Sequence, residues 1–319
     1  MKRFAVLVAL CFTTVFAYGA DAAVPPLVDA QWLKAHLGDE NLVVLDVRSG
    51  IDNGGDRSRF QEGHIPGAVY SNYNDDGWRE TRDGVAGLLP PVRSLERLIG
   101  SLGISNDDTV VVVPAGTGPT DFGSAARVFW TFKVLGHQPV TVLNGGYAGW
   151  KAAGFDVESG EGAARPVAQF KGELQEDLIA SLKEVQAARD TQAQLVDARP
   201  AEYFRGEQKS PAAKAPGTIP GALNLPHQSF IGEQNQVFYL NKESIASKVN
   251  TAELNADERT IAFCNTGHWA ATDWFVLSQL AGFKEVALYD GSMAEWSQDS
   301  SRPIQVAKRG LSKLLDFFN

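Results

Sequence analysis

The 319-residue chain is poor in cysteine and histidine, with two of the first and five of the second, and it has fewer basic residues (29) than acidic ones (38). Two cysteines cannot build the disulfide framework of a small stapled domain. His36, His64, His137 and His227 show no ligand spacing, so neither a structural zinc site nor any other metal site is expected. A formal net charge of −9 excludes nucleic acid and anionic membranes as partners. Long apolar runs are also missing. The stretch from Phe4 to Phe16 is shorter than the roughly 20 residues that a membrane helix needs, and none later approaches that length, so no membrane span is expected.

What stands at the N-terminus instead is a secretory pattern. Lys2 and Arg3 precede the apolar stretch, and the small residues Ala17 to Ala23 follow it, with Ala20-Asp21-Ala22 as an A-x-A cleavage site. Residues 1–23 are therefore read as a signal peptide and the mature protein as exported to the periplasm. Bulky Leu10 before Cys11 argues against lipid attachment there. Removal of the signal leaves Cys264 as the one thiol. A lone thiol in an oxidising compartment is exposed to oxidation, which favours a chemical role for it over simple packing.

The chain also repeats itself. Leu42-Val43-Val44-Leu45-Asp46-Val47-Arg48 returns as Leu195-Val196-Asp197-Ala198-Arg199, and Gly63-His64-Ile65-Pro66-Gly67-Ala68 as Gly217-Thr218-Ile219-Pro220-Gly221-Ala222. The run Val110 to Pro114 answers Thr260 to Phe263, and Leu143-Asn144-Gly145-Gly146-Tyr147-Ala148-Gly149-Trp150 answers Tyr289-Asp290-Gly291-Ser292-Met293-Ala294-Glu295-Trp296. Four matches in the same order indicate two copies of one domain. Within each copy β-branched runs alternate with helical patterns, including 94–102, 123–135, 181–188 and 270–280. This predicts an α/β fold of two domains, each a parallel sheet flanked by helices. The expected domains are 24–157 and 171–306. The segment 158–170, rich in Gly, Ala and Pro, is the expected linker, and 307–319 an amphipathic helix with Leu311, Leu314, Leu315 and Phe318 on one face.

Cys264 falls where an apolar strand meets the loop Asn265-Thr266-Gly267-His268-Trp269-Ala270 and a helical pattern begins. In open parallel sheets ligands bind at that edge. The paired Asp-x-Arg strand ends, the two Gly-x-Ile-Pro-Gly-Ala turns and the strand-Cys-loop-helix together resemble the tandem rhodanese-domain sulfurtransferases, over 27–304. The resemblance implies two rhodanese-like domains, the second carrying the catalytic cysteine and the first silent. On an alignment of Val113 to Gly116 with Ala262 to Asn265, Ala115 stands where a nucleophile would be.

The same chemistry follows from the residues. A thiolate can attack the outer sulfur of a donor and carry it as a persulfide. A free thiol, of pKa about 8.5, is only a few per cent ionised near neutrality, so the site must favour the thiolate; a helix N-terminus contributes roughly 0.3–2 kcal/mol. Backbone N–H groups of residues 265–270, none of them proline, are candidates for the rest. Asn265, Thr266, Gly267, His268, Trp269 and Ala270 are thus the candidate substrate-binding residues. Arg199, Tyr203 and Arg205 are further candidates, although Asp197 with Arg199, like Asp46 with Arg48, reads first as a structural ion pair. Thiosulfate-using members of the family often carry loop cations and a further arginine where this chain has Tyr203, and the loop here offers only His268. A cysteine-dependent phosphatase would need an arginine six residues after the cysteine, and that position is Ala270, which excludes it. Gly116-Thr117-Gly118 lacks the lysine of a phosphate loop and is read as a turn. The expected activity is transfer of sulfane sulfur from a donor such as thiosulfate, through a Cys264 persulfide, to cyanide or a thiol. The expected partners are a small anionic donor and a thiophilic acceptor, with no cofactor. Alternatives are 3-mercaptopyruvate as donor, a non-catalytic persulfide carrier, and a thiol redox sensor.

Overall fold

The computed structural model describes residues 24–52 and 54–307; the expected signal peptide and, beyond Ala307, the expected C-terminal helix lie outside them. In the first repeat the strands are β1 (Leu27–Val28), β2 (Leu42–Asp46), β3 (Val69–Tyr70), β4 (Glu80–Arg82), β5 (Val85–Leu88), β6 (Thr109–Val113) and β7 (Val140–Leu143). Five of them form a parallel sheet in the order β1-β7-β6-β2-β3, and β4 pairs with β5 as a separate hairpin. In the second repeat β8 (Gln194–Asp197), β9 (Leu223–Asn224), β12 (Thr260–Phe263) and β13 (Val286–Leu288) form a parallel sheet ordered β13-β12-β8-β9, and β10 (Ile231–Gln234) pairs with β11 (Val237–Leu240). Continuous β-branched runs such as Val110 to Val113 suit strands buried on both faces, and all four are fully covered.

The helices fall close to their expected positions, at Val92–Ser101, Phe122–Val134, Leu182–Ala187 and Trp269–Phe275. Ser181 caps the third by accepting the Glu184 N–H. The fourth widens into a π-turn over Val276–Leu280, closed by Ala281 N–H to Val276 O at 2.8 Å.

The duplicated motifs have a common mechanical role. Arg48 binds the Asp46 carboxylate and donates from Nη2 to Gly63 O at 2.9 Å; Arg199 binds Asp197 and donates to Gly217 O at 2.8 Å. Each Asp-x-Arg pair therefore clamps the first residue of its own Gly-x-Ile-Pro-Gly-Ala turn to a strand end, and both pairs are buried.

The two sheets do not stand apart. Helix Phe122–Val134, buried at every position but Lys133, packs against helix Trp269–Phe275. Phe275 lies edge-on to Phe122 and Phe129, with ring centroids 5.2 and 4.9 Å away, and one apolar core runs through both domains. Each domain also extends a hairpin onto the other. Leu89, at the end of the β4–β5 hairpin, donates its N–H to Asp290 at 2.6 Å, while Leu240, at the end of the β10–β11 hairpin, exchanges two hydrogen bonds with Asn144. Asn144 and Asp290 occupy the same place in the repeated motif, so one position receives the neighbouring hairpin in both halves. The linker segment lies along the first domain, bonded from Glu158 to His64, from Ala163 to Ala68 and from Ala168 to Gly100.

Candidate active site

Cys264 follows β12 directly, at the carboxyl edge of the second sheet, and its loop turns at once into the helix Trp269–Phe275. The loop is held from behind by the motif Tyr289 to Trp296. Ser292 Oγ accepts from Cys264 N at 3.0 Å and from Gly267 N at 3.2 Å, and donates to Tyr289 O. Met293 N–H and Ala294 N–H bind the carbonyls of Cys264 and Asn265. This network fixes the loop's carbonyls on the far side. The N–H groups of Asn265 and Thr266 make no hydrogen bond among the described residues.

The first domain builds the other wall. Arg127, fully buried on helix Phe122–Val134, donates to Gly267 O at 3.3 Å and to Gly87 O at 3.0 Å, and lies 3.4 Å from Asp290 Oδ2. Burial pulls its pKa down, Asp290 pushes it back up, and Cys264 acts in the same upward sense. Tyr73 places its hydroxyl 3.1 Å from His268 Nδ1. Gly87, at φ +91°, brings the β4–β5 hairpin so close to Thr266 that a Cβ there would overlap the Thr266 carbonyl oxygen. Cys264 is consequently only 1% exposed, enclosed between the loop and the neighbouring domain.

The other candidates divide. Asn265, Gly267, His268 and Ala270 share the enclosed loop. His268 is buried against Tyr73 and is not a solvated loop residue. Trp269 packs locally, stacked on His227 at 4.8 Å and edge-on to Tyr203 at 5.9 Å. Burial lowers the pKa of His227 to about 4, which keeps it neutral beneath that indole. Arg199 is consumed by Asp197 and Gly217 O, with one weak 3.5 Å contact to Asn265 Oδ1. Arg205 is exposed and doubly bonded to Glu207. Both arginines are thus held by a carboxylate, Arg199 in a buried pair beside Asn265 and Arg205 in an exposed one.

The counterpart of Cys264 in the first domain needs a correction. Strand register pairs Asp46 with Val113 and Asp197 with Phe263, and the bond from Tyr147 N to Pro114 O matches that from Met293 N to Cys264 O. Pro114, not Ala115, therefore stands opposite the thiol. A uniform valine run carries no register of its own, which is why the sequence alignment slipped by one. The loop that follows contains its own anion: Asp121 Oδ2 accepts from Thr117 N at 2.5 Å and Gly118 N at 2.9 Å. A carboxylate thus occupies the N–H groups of Thr117 and Gly118, the counterparts of Gly267 and His268, while residues 265–270 of the Cys264 loop contain no such acid.

Arg127, Tyr73 and Gly87 escaped the sequence reading. Their motif context carries no signal, and Arg127 lies 140 residues from the loop carbonyl that it binds.

The profile of the rhodanese-like domain matches residues 29–153 and again 181–299. The chain is 30% identical over 286 residues to a putative thiosulfate sulfurtransferase of Mycolicibacterium smegmatis, covering 88% of this chain and 97% of that one. It is 34% identical over 284 residues to a probable 3-mercaptopyruvate sulfurtransferase of Pseudomonas aeruginosa, covering 87% and 97%. Among solved structures it is similar to SseA from Escherichia coli, a 3-mercaptopyruvate sulfotransferase, with a TM-score of 0.72 at 26% identity over 84% of this chain and 99% of that one.

Proposed function

The chain belongs to the rhodanese-like family of sulfurtransferases, and from that premise we propose that Cys264 is its nucleophile and thiosulfate its donor. The observation that carries this reading is the contrast between two equivalent loops. One holds a thiol at the head of its loop; the other holds Pro114 in that place, and its Asp121 carboxylate binds the N–H groups of Thr117 and Gly118. Only the first is chemically equipped to take up an anionic sulfur donor.

In the proposed reaction the Cys264 thiolate attacks the outer sulfur of thiosulfate. The new S–S bond forms as the old one breaks, sulfite leaves with the electron pair, and the enzyme retains a persulfide anion. Cyanide or a thiolate then attacks the terminal sulfur, and the electron pair returns to Cys264 as thiolate. Loop N–H groups stabilise the negative sulfur at each stage, and exclusion of water by the first domain strengthens those bonds. Burial of the thiol weighs against the carrier and sensor readings, which need the sulfur presented to a partner or to diffusing oxidant.

A second donor, 3-mercaptopyruvate, is favoured by the Pseudomonas aeruginosa relative's name. We further propose export to the periplasm with loss of 1–23, on the strength of Lys2, Arg3 and the Ala20-Asp21-Ala22 site. Mass spectrometry of intact protein after brief exposure to each donor tests these together. The expected result is a chain shortened by the signal and carrying about 32 Da more on Cys264, one added sulfur. Cys264→Ser should show neither that addition nor thiocyanate formation. Unchanged turnover in that variant would remove Cys264 from the mechanism.

A further inference from the structure

The loop supplies no fixed cation for an anionic donor, yet among the described residues one guanidinium on the facing hairpin has no carboxylate within 4 Å. Among the described arginines that are not fully exposed, Arg48, Arg127, Arg165, Arg199, Arg259 and Arg302 each face a carboxylate within 4 Å. Arg79 alone does not. Its one hydrogen bond is a long 3.4 Å contact to the neutral side-chain oxygen of Asn74, and its Nε is buried without a partner. In a chain with nine more acidic than basic residues, an unpaired and half-buried cation is an expensive arrangement unless a ligand completes it.

Arg79 is also tied to the candidate site by geometry. Its guanidinium carbon lies 4.6 Å from the centre of the Tyr73 ring, and the hydroxyl of that ring meets His268, four residues beyond Cys264. Arg79 directly precedes β4, in the hairpin that covers the loop. Its charge is felt by Arg127, which binds the loop at Gly267. Stacking on a buried tyrosine fixes the guanidinium plane while leaving its N–H groups free to bind an acceptor.

We propose that Arg79, contributed by the first domain, binds the anionic head of the small molecule that Cys264 attacks, so that the donor site is completed across the domain interface. The head is a sulfonate-like group in thiosulfate and a carboxylate in 3-mercaptopyruvate, and both suit a planar guanidinium. The inference rests on Cys264 being the reacting thiol. It adds a cation without a carboxylate partner to a site where Arg199 and Arg205 are held by Asp197 and Glu207.

The test separates anion attraction from sulfur transfer by alkylating Cys264 with anionic iodoacetate and neutral iodoacetamide. Arg79→Ala and Arg79→Gln should lower the iodoacetate-to-iodoacetamide rate ratio by roughly tenfold, the size of one charge-assisted contact. The same variants should raise KM for the active donor by roughly tenfold and leave kcat within about twofold. Arg79→Lys should retain part of the ratio, and Arg82→Ala, exposed on the same hairpin, all of it. An unchanged ratio in both neutral variants would overturn the proposal, as would a loss of kcat with KM and ratio intact, which would mark Arg79 as structural. If the wild-type protein transfers sulfur from neither donor, the sulfur-transfer reading fails, while the alkylation ratio still decides whether Arg79 attracts the anion.

Discussion

Asp273 lies in the helix that follows the Cys264 loop, fully buried, with neither carboxylate oxygen hydrogen-bonded among the described residues. Burial, reinforced by Asp197, raises its pKa well above the ordinary carboxylate value, so the folded state favours its protonated form more than the unfolded chain does. The unfolded chain releases that proton above about pH 4. Folding then requires a proton that the unfolded state does not bind, and stability falls as pH rises. Asp273→Asn removes this linkage while keeping the shape. It should therefore be no more stable than wild type near pH 4 and more stable at pH 7.5, by about 1–3 kcal/mol. Denaturant melts at both pH values check this, and a gain that does not grow with pH would contradict it.

The β4–β5 hairpin is the element that encloses the thiol, and Gly87 permits its approach. At φ +91° an L-residue is strained, and its Cβ would collide with the Thr266 carbonyl oxygen. Gly87→Ala should lift the hairpin from the loop and weaken the bonds from Arg127 to Gly87 O and from Leu89 to Asp290. The expected outcome is faster alkylation of Cys264 by iodoacetamide together with a lower kcat/KM. Labelling at the wild-type rate would show that the hairpin does not govern access.

On the scale of the whole molecule, the two repeats share one apolar core. Phe129 of the first domain is buried against Phe275 and Trp274 of the second, within a core common to both. Such an apolar interface does not behave as a loose hinge. Phe129→Ala should cost about 3–5 kcal/mol. In calorimetry the wild-type protein should unfold in a single transition that the substitution shifts as a whole. Two transitions, only one of them shifted, would show that the domains melt separately.

Local order made much of this molecule legible in its residues. The alternation of β-branched runs with helical patterns, the four repeated motifs and a cysteine between a strand and a helix are contiguous features, and contiguous features survive in a linear text. Local order also argued against a phosphatase, through Ala270. Tertiary structure decided which residues surround that thiol. Strand pairing set the register that puts Pro114 opposite Cys264, because a row of valines is the same at every step. Chain folding brought Tyr73 to His268 across 195 residues and Arg127 to Gly267 across 140. It also left Arg79, among the described residues, without a carboxylate within 4 Å. Charge and hydrogen bonding act over a few ångströms of space, so the sequence determined the place of the thiol between a strand and a helix of a duplicated fold, and only the packing of one domain on the other determined what that thiol can meet.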